Sequence, residues 1–322
     1  MQKPLGQPDE TLAAGEEIVF RFLQINDTHY QTDALQPPPL NFQGSNRRAE
    51  WLCEALRRGD FIPPVDFLLH VGDLVNTAYE SEFAAIKHLL DRTGIPYHTT
   101  VGNHDNHNLE GDSEKEAPYR QIIGDQFHYT FTHKGLGFVV ANNSGSATPE
   151  LTAQAIDDRE RHLRSHLESH VDRPVIIACH IPVVPMREEA VLKSSFDIPT
   201  YKVAEPGMLN IIEEHRDHVS AVLGGHLHLS GLVRQNGINH IDVSGTAGYP
   251  HDIALHTVTR EALITKLIAL PDELHDPSTN IHGKPFQDKN FTDSTHLDHS
   301  TYLRGRVDER TVRTALKLPL RA

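Results

Sequence analysis

Aspartate, asparagine and histidine recur just after apolar runs at five places along this chain: Asp27-Thr28-His29, Gly72-Asp73, Gly102-Asn103-His104-Asp105, His180, and Gly225-His226-Leu227-His228. Carboxylate, amide and imidazole are the donors that hold pairs of divalent ions, and paired ions activate water against phosphorus. The set therefore points to a two-metal centre that hydrolyses phosphate esters.

Each position has a chemical reason. Asp27 and His29 stand two residues apart, so in an extended segment both side chains are expected on one side, where one ion takes both. Gly72 permits a sharp turn, and Asp73 is expected to bridge two ions roughly 3.5–4 Å apart. Asn103 offers a neutral amide oxygen after Gly102. His180 ends the apolar run Val175-Ile176-Ile177-Ala178 and is expected at the same rim from a neighbouring strand. These two are assigned to the second ion. His226 and His228, again at period two, follow Gly224-Gly225, which allows close backbone approach; one imidazole is assigned to each ion.

Two carboxylates against two divalent cations leave a net charge of about +2 before any hydroxide binds, enough to attract an anionic phosphate. A water bridging the ions, its pKa lowered, is the expected nucleophile. His104 stands beside a ligand without being needed as one and is expected to protonate the leaving oxygen. Asp105 is expected either to orient that imidazole or to cap the following turn. Among the 23 histidines most must be ordinary. His107 is as readily a solvated loop residue as a substrate contact, and Arg47 and Arg48 read as a helix start facing water before they read as a phosphate clamp. Alone, each motif has a plain reading: Gly72-Asp73 as a turn, His180 as a hydrogen-bonded core residue. Their joint occurrence on successive strand ends is what carries the assignment.

The elements that must position these groups alternate. Strands are expected at Ile18 to Ile25, Phe67 to Val71, Tyr97 to Val101, Val175 to Cys179 and Val219 to Leu223, with helices at Arg47 to Arg58, Glu82 to Leu90, Thr152 to Ser169 and Pro206 to His215. Phe127 to Thr132 and Phe138 to Asn142 read as an antiparallel pair around Lys134-Gly135. Gly231 to Gln235, Ile238 to Val243, and Ile253 to Leu270 broken near Arg260 add further strands. Many strands with mixed connections predict an α/β fold, a four-layered α/β/β/α sandwich with two mixed sheets. Open α/β sheets place ligands at the carboxyl ends of strands, where these motifs fall. The loops Pro182 to Tyr201 and Gly248 to His251 are expected to wall the pocket.

Composition narrows the partners. With 44 acidic against 30 basic residues in 322, the formal charge is −14, which disfavours nucleic acid and favours a small phosphate ester drawn in by the local charge of the metals. No apolar run is long enough to span a bilayer, and Met1 to Glu17 is polar, without a visible secretory signal. Cys53 and Cys179 are the only cysteines, so no disulfide framework is expected and a reducing cytoplasm fits. The chain divides into an N-terminal arm, residues 1–17; a catalytic domain, 18–270; and a C-terminal extension, 271–322, read as a lid, an oligomer arm or a loosely packed tail, helical near Arg310 to Leu316. A homo-oligomer is left open.

From Ile18 to Leu270 the ordered motifs resemble those of the calcineurin-like metallophosphoesterase family. The resemblance implies the sandwich fold, two divalent or mixed-valence ions (manganese, iron or zinc), and hydrolysis of phosphomonoesters or phosphodiesters. By matching motif, Asp27, His29, Asp73 and His228 would hold the first ion, and Asp73, Asn103, His180 and His226 the second. The Asp-x-His opening and the Asn-His-Asp block are most similar to the class III cyclic-nucleotide phosphodiesterases. Protein phosphatases of the superfamily follow Gly-Asp with a Val-Asp-Arg-Gly run, whereas Leu74-Val75-Asn76-Thr77 stands here. Purple acid phosphatases place a tyrosine ligand where this chain has Asn76. Periplasmic 5′-nucleotidases share the Asn26-to-His29 opening but carry a large C-terminal substrate domain. The expectation is a phosphodiesterase acting on a small molecule, cyclic nucleotide or similar. A phosphomonoesterase or nucleotide pyrophosphatase is the alternative, and a non-catalytic interaction scaffold a more distant one.

Overall fold

The computed structural model describes residues 12–13, 15–32, 44–106, 117–144, 149–187, 206–275 and 299–320. Strands β1 (Ile18–Ile25), β2 (Phe67–Val71) and β3 (Tyr97–Thr100) run parallel in one six-stranded sheet. The antiparallel strands β10 (Asp252–Thr259), β11 (Ala262–Ala269) and β12 (Thr311–Ala315) complete its order, β12-β11-β10-β1-β2-β3. The second six-stranded sheet is ordered β4-β5-β6-β7-β9-β8, from β4 (His128–His133), β5 (Leu136–Ala141), β6 (Val175–Ala178), β7 (Val219–Gly224), β8 (Gly231–Gln235) and β9 (Ile238–Asp242). Within it β5, β6, β7 and β9 are parallel, and a hairpin closes each edge. Both sheets are mixed, as expected.

Alternation along the strands builds three apolar layers. Phe20, Phe22, Phe67 and Leu69 of one sheet meet Phe138, Ile176, Ala221 and Leu223 of the other. Phe22 stacks on Phe67 at 5.1 Å and meets the edge of Phe138 at 5.3 Å, favourable ring geometries in a dry interface. Residues of opposite parity, such as Leu23, Ile25 and Leu68, face outward onto α1 (Ser45–Arg58), α2 (Glu80–Arg92) and α3 (Ala117–Ile122). On the other sheet Val139, Ile177 and Val222 pack under α4 (Pro149–Glu168), α5 (Pro206–Glu214) and α6 (His299–Arg304). The four layers follow: helices, sheet, sheet, helices.

The expected helix near Arg310 to Leu316 is instead β12, the edge strand beside β11. Val312 and Thr314 are buried while Thr311, Arg313 and Ala315 are exposed, a period of two that suits β-branched residues on an open sheet edge and outweighs a short helical pattern. The short helices α3 and α6 lie where the apolar pattern offers too few turns to announce them. Among the described residues no helix is long and apolar enough to cross a membrane. Cys53 and Cys179 are both buried and free.

Candidate metal centre

The site lies where β1, β2, β3, β6 and β7 end. Beyond β1 and β2 the chain continues the parallel pairing in a distorted form. Asp27 N–H donates to Gly72 O at 3.0 Å and His29 N–H to Asp73 O at 3.1 Å. The expectation that period-two extension would align the paired ligands is corrected here. Asp27 and His29 have φ of 48° and 41°, and His226 and His228 have φ of 72° and 50°. Left-handed backbone at these non-glycine residues costs about 1–3 kcal/mol each and persists where surrounding structure imposes it. The side chains converge through tight turns, not along a pleat.

Two glycines make the crowding feasible. A Cβ on Gly72, whose φ is +80°, would lie 2.4 Å from His180 Nδ1, and one on Gly225 would lie 2.6 Å from Asp27 Oδ2. The absence of side chains there lets imidazole and carboxylate approach backbone directly.

All the expected donors meet. The ligand atoms of Asp27, His29 and His228 lie within 4.8 Å of one another, as do those of Asp73, His180 and His226. In the first group His228 Nε2 is 3.1 Å from Asp27 Oδ1 and 3.0 Å from His29 Nε2. In the second, His180 Nε2 is 3.2 Å from Asp73 Oδ2 and 3.1 Å from Asn103 Oδ1. Asp73 Oδ2 also lies 3.4 Å from His29 Nε2, so one carboxylate oxygen stands between both groups. His180 Nδ1–H donates to Val71 O at 2.9 Å, which turns Nε2 toward the site. A donor set of carboxylates, imidazoles and an amide oxygen, packed this closely, suits two divalent first-row ions.

The charges agree with that chemistry. Burial works against the ionised form of Asp27, but His228 and His180 beside it hold the carboxyl well below the usual range. Burial likewise opposes the Asp73 charge, while His180 and His104 draw its pKa down. Although burial disfavours its charged form, His180 is raised by Asp73 and Asp27 to about 10. Burial, with His104 adding to it, lowers His29 to about 4; burial and His180 lower His226 to about 3. Two buried anions thus face one readily protonated imidazole, an imbalance that bound cations would relieve.

His104 is half-buried; its ligand atom falls within 4.8 Å of those of His29 and Asp73, and its ring meets His29 edge-on at 4.5 Å. Its Nδ1–H donates to Asn76 O at 2.8 Å, and its backbone N–H to Asp73 Oδ1 at 2.8 Å. Asp105 bonds to backbone that precedes it in the chain, not to the following turn that it was also expected to cap. It is fully buried and accepts from Val75 N at 3.1 Å and Gly102 N at 2.8 Å, joining the turns that carry Asp73 and Asn103. Burial, then the Asp73 charge, push its pKa well above the usual range.

Arg48 is buried, not solvated: it donates to Leu274 O at 2.8 Å and Ala247 O at 2.9 Å, while Arg47 reaches Glu273 O. His107 and residues 188–201 of the expected wall loop lie outside the described residues. The other wall loop and the residue before it pack behind Asp27 and His228. Ala247 N–H donates to Asp27 O at 2.9 Å, and Gly248 abuts His228. Asn26 was not among the expected site residues, yet its buried Nδ2 donates to Asp27 Oδ2 at 2.6 Å and Val243 O at 2.7 Å. An amide beside a ligand at a strand end is the signal that singles it out. The carbonyls of Val71 and Asn76, which fix two imidazole tautomers, have no such signal, because every residue has one.

The sequence model described as calcineurin-like phosphoesterase matches residues 20–230, more than half of the chain. A curated relative, the uncharacterized protein YvnB of Bacillus subtilis (strain 168), is 23% identical over 220 residues; the match takes in 65% of this chain but only 15% of that protein. A dimetal phosphatase from Danio rerio superposes with a TM-score of 0.57 at 18% identity, covering 79% of this chain and 97% of that one. The purple acid phosphatase PPD1 of yellow lupin gives 0.55 at 16% identity, with 78% and 51% covered. GAP50, the anchor in the inner membrane complex of Plasmodium, gives 0.53 at 13% identity, with 79% and 85% covered. At these identities the structures share the fold. With the family's own model spanning residues 20–230, and so all five motifs through His228, the chain belongs to the calcineurin-like phosphoesterase family.

Proposed function

We propose that this chain is a metal-dependent phosphoric ester hydrolase that prefers small phosphodiesters, cyclic nucleotides or similar molecules, in the manner of the class III phosphodiesterases. The observation that carries the reading is Asp73 Oδ2, 3.4 Å from His29 Nε2 and 3.2 Å from His180 Nε2, one oxygen serving two donor groups. Asp27, His29, Asp73 and His228 would hold one ion; Asp73, Asn103, His180 and His226 the other, with manganese, iron or zinc the candidates. Bound ions would supply Lewis acidity for an attacking water and for the charge at phosphorus. His104, with Nδ1–H fixed on Asn76 O, holds Nε2 where a proton can pass to the departing oxygen. Asp105 is a positioning residue: its two backbone bonds keep the turns of Asp73 and Asn103 in register.

A diester carries one negative charge and a monoester two at neutral pH. Arg47 and Arg48 direct their guanidinium groups to backbone carbonyls, which supports the less charged substrate. Residues 18–270 would form the catalytic unit, and two buried free thiols suit a reducing cytoplasm. The test is turnover of bis(4-nitrophenyl) phosphate against 4-nitrophenyl phosphate with added manganese, followed by cyclic nucleotides and dinucleotides. Faster diester cleavage is expected. Preference for the monoester would replace the diester reading, and inactivity of folded protein with every divalent ion would leave a non-catalytic scaffold.

A further inference from the structure

The family match ends at residue 230, yet the turn holding His228 is anchored by residues far beyond it. Ser230 is fully buried two positions after His228. Its N–H donates to Leu303 O at 2.7 Å, and its Oγ to Asp252 Oδ2 at 2.8 Å. The same Oγ accepts from Ser244 N at 3.1 Å, and Ser244 Oγ accepts from Asp252 N at 2.9 Å. Ser244 adjoins Gly245, where a Cβ would lie 2.6 Å from Asp27 Cβ. One buried carboxylate therefore ties together the segments behind His228 and Asp27. Asp252 is completely buried, and a buried carboxylate is a stable anchor only when paired. Arg310 pairs it with both arms, Nη1 to Oδ2 at 2.8 Å and Nη2 to Oδ1 at 2.9 Å, while Nη1 also caps Arg304 O at 2.6 Å. A second arginine does the same for the segment after His180. Arg187 donates to Ser230 O and Glu309 Oε2, both at 3.0 Å, and to Tyr302 O at 3.1 Å.

We propose that residues 299–315 form a clamp in which Arg310, through Asp252 and Ser230, is a positioning residue that sets the geometry of the His228 and Asp27 ligands. The inference rests on reading those two side chains as metal ligands. A planar guanidinium bonded twice to one carboxylate fixes direction as well as charge, which a flexible point charge does not. Groups that orient metal ligands from behind typically cost about 10–100-fold in metal affinity when removed.

Calorimetric titration of the metal-stripped full chain with manganese and zinc tests this. Arg310→Met is expected to weaken the tighter-bound or first-filled ion by about 10–100-fold, and Arg310→Lys by less. Ser230→Ala, which keeps the ion pair, is expected to fall between Arg310→Met and the wild type, and serves if Arg310→Met does not fold. The control is Arg313→Met, three residues on in β12, which removes an outward bond to Glu16 at 2.7 Å and is expected to lower melting temperature without changing metal affinity. Wild-type affinity in Arg310→Met and Ser230→Ala, or equal weakening in Arg313→Met, overturns the clamp. A wild-type chain that binds neither ion overturns the clamp and the metal-centre reading together, so the two failures are told apart.

Discussion

His29 Nε2 and His228 Nε2 stand 3.0 Å apart, although 199 residues separate them in the chain. Both rings are buried, and Asp27 Oδ1 lies 3.1 Å from the second. Two imidazole nitrogens brought this close beside a carboxylate form a donor group for a cation. Metal is therefore expected to stabilise the fold by mass action. At about 100 times its Kd, each ion adds about 2.7 kcal/mol, or roughly 4–5 °C in melting temperature for a domain of this size. Thermal melts of chelated and manganese-loaded protein check this; coincident curves would contradict it, and His228→Ala is expected to remove much of the gain.

His104 sets up a second expectation. Its Nδ1–H donates to Asn76 O at 2.8 Å, which orients the ring at the site. His104→Ala is expected to slow diesters with poor leaving groups by about 10²–10⁴ and activated nitrophenyl esters far less, since general acid catalysis matters most for a basic leaving oxygen. Equal losses across a leaving-group series would overturn the proton-donor role of His104.

Gly72 and Gly59 separate strain from crowding. Both have positive φ, +80° and +70°, but a Cβ at Gly72 meets the His180 ring at 2.4 Å while one at Gly59 meets nothing within 4 Å. Alanine at either is expected to cost about 1–3 kcal/mol of stability through left-handed backbone. Gly72→Ala alone is expected to weaken metal binding, because His180 must move. Urea melts paired with metal titrations of the two variants give the comparison.

His256 predicts the acid limit of stability. It is fully buried between Gln24 Oε1 at 3.2 Å and Thr265 Oγ1 at 2.9 Å, and burial lowers it to about 3. Its folded pKa lies below the ordinary imidazole value of about 6.5, so the unfolded chain takes up the proton first. The stability it contributes is complete above pH 6.5 and is lost as pH falls toward 3. At pH 5 the loss is about 2 kcal/mol. His128 and His240, each lowered to about 4 chiefly by burial, act in the same direction. Denaturant melts at pH 7.5 and pH 5 are expected to differ less in His256→Gln than in wild type, by about 2 kcal/mol; an unchanged difference would show that His256 does not titrate on unfolding.

The amino-acid sequence by itself determined the alternation of strands and helices, hence two mixed sheets with helices outside, and the donors that fall at strand ends. Apolar period and residue chemistry are local properties, legible in Val175-Ile176-Ile177-Ala178 before His180 or in Gly72 before Asp73. What only the tertiary structure decided is how the donors converge. Asp27, His29, His226 and His228 meet through left-handed turns that the packing of neighbouring strands imposes, a conformation their own side chains do not favour. Tertiary structure also turned residues 311–315 into an edge strand, because the open edge of β11 offers hydrogen bonds that no local pattern records. The same holds for the carbonyls of Val71 and Asn76 and the Arg310 to Asp252 pair: groups distant in the chain acquire their roles only when folding sets them side by side.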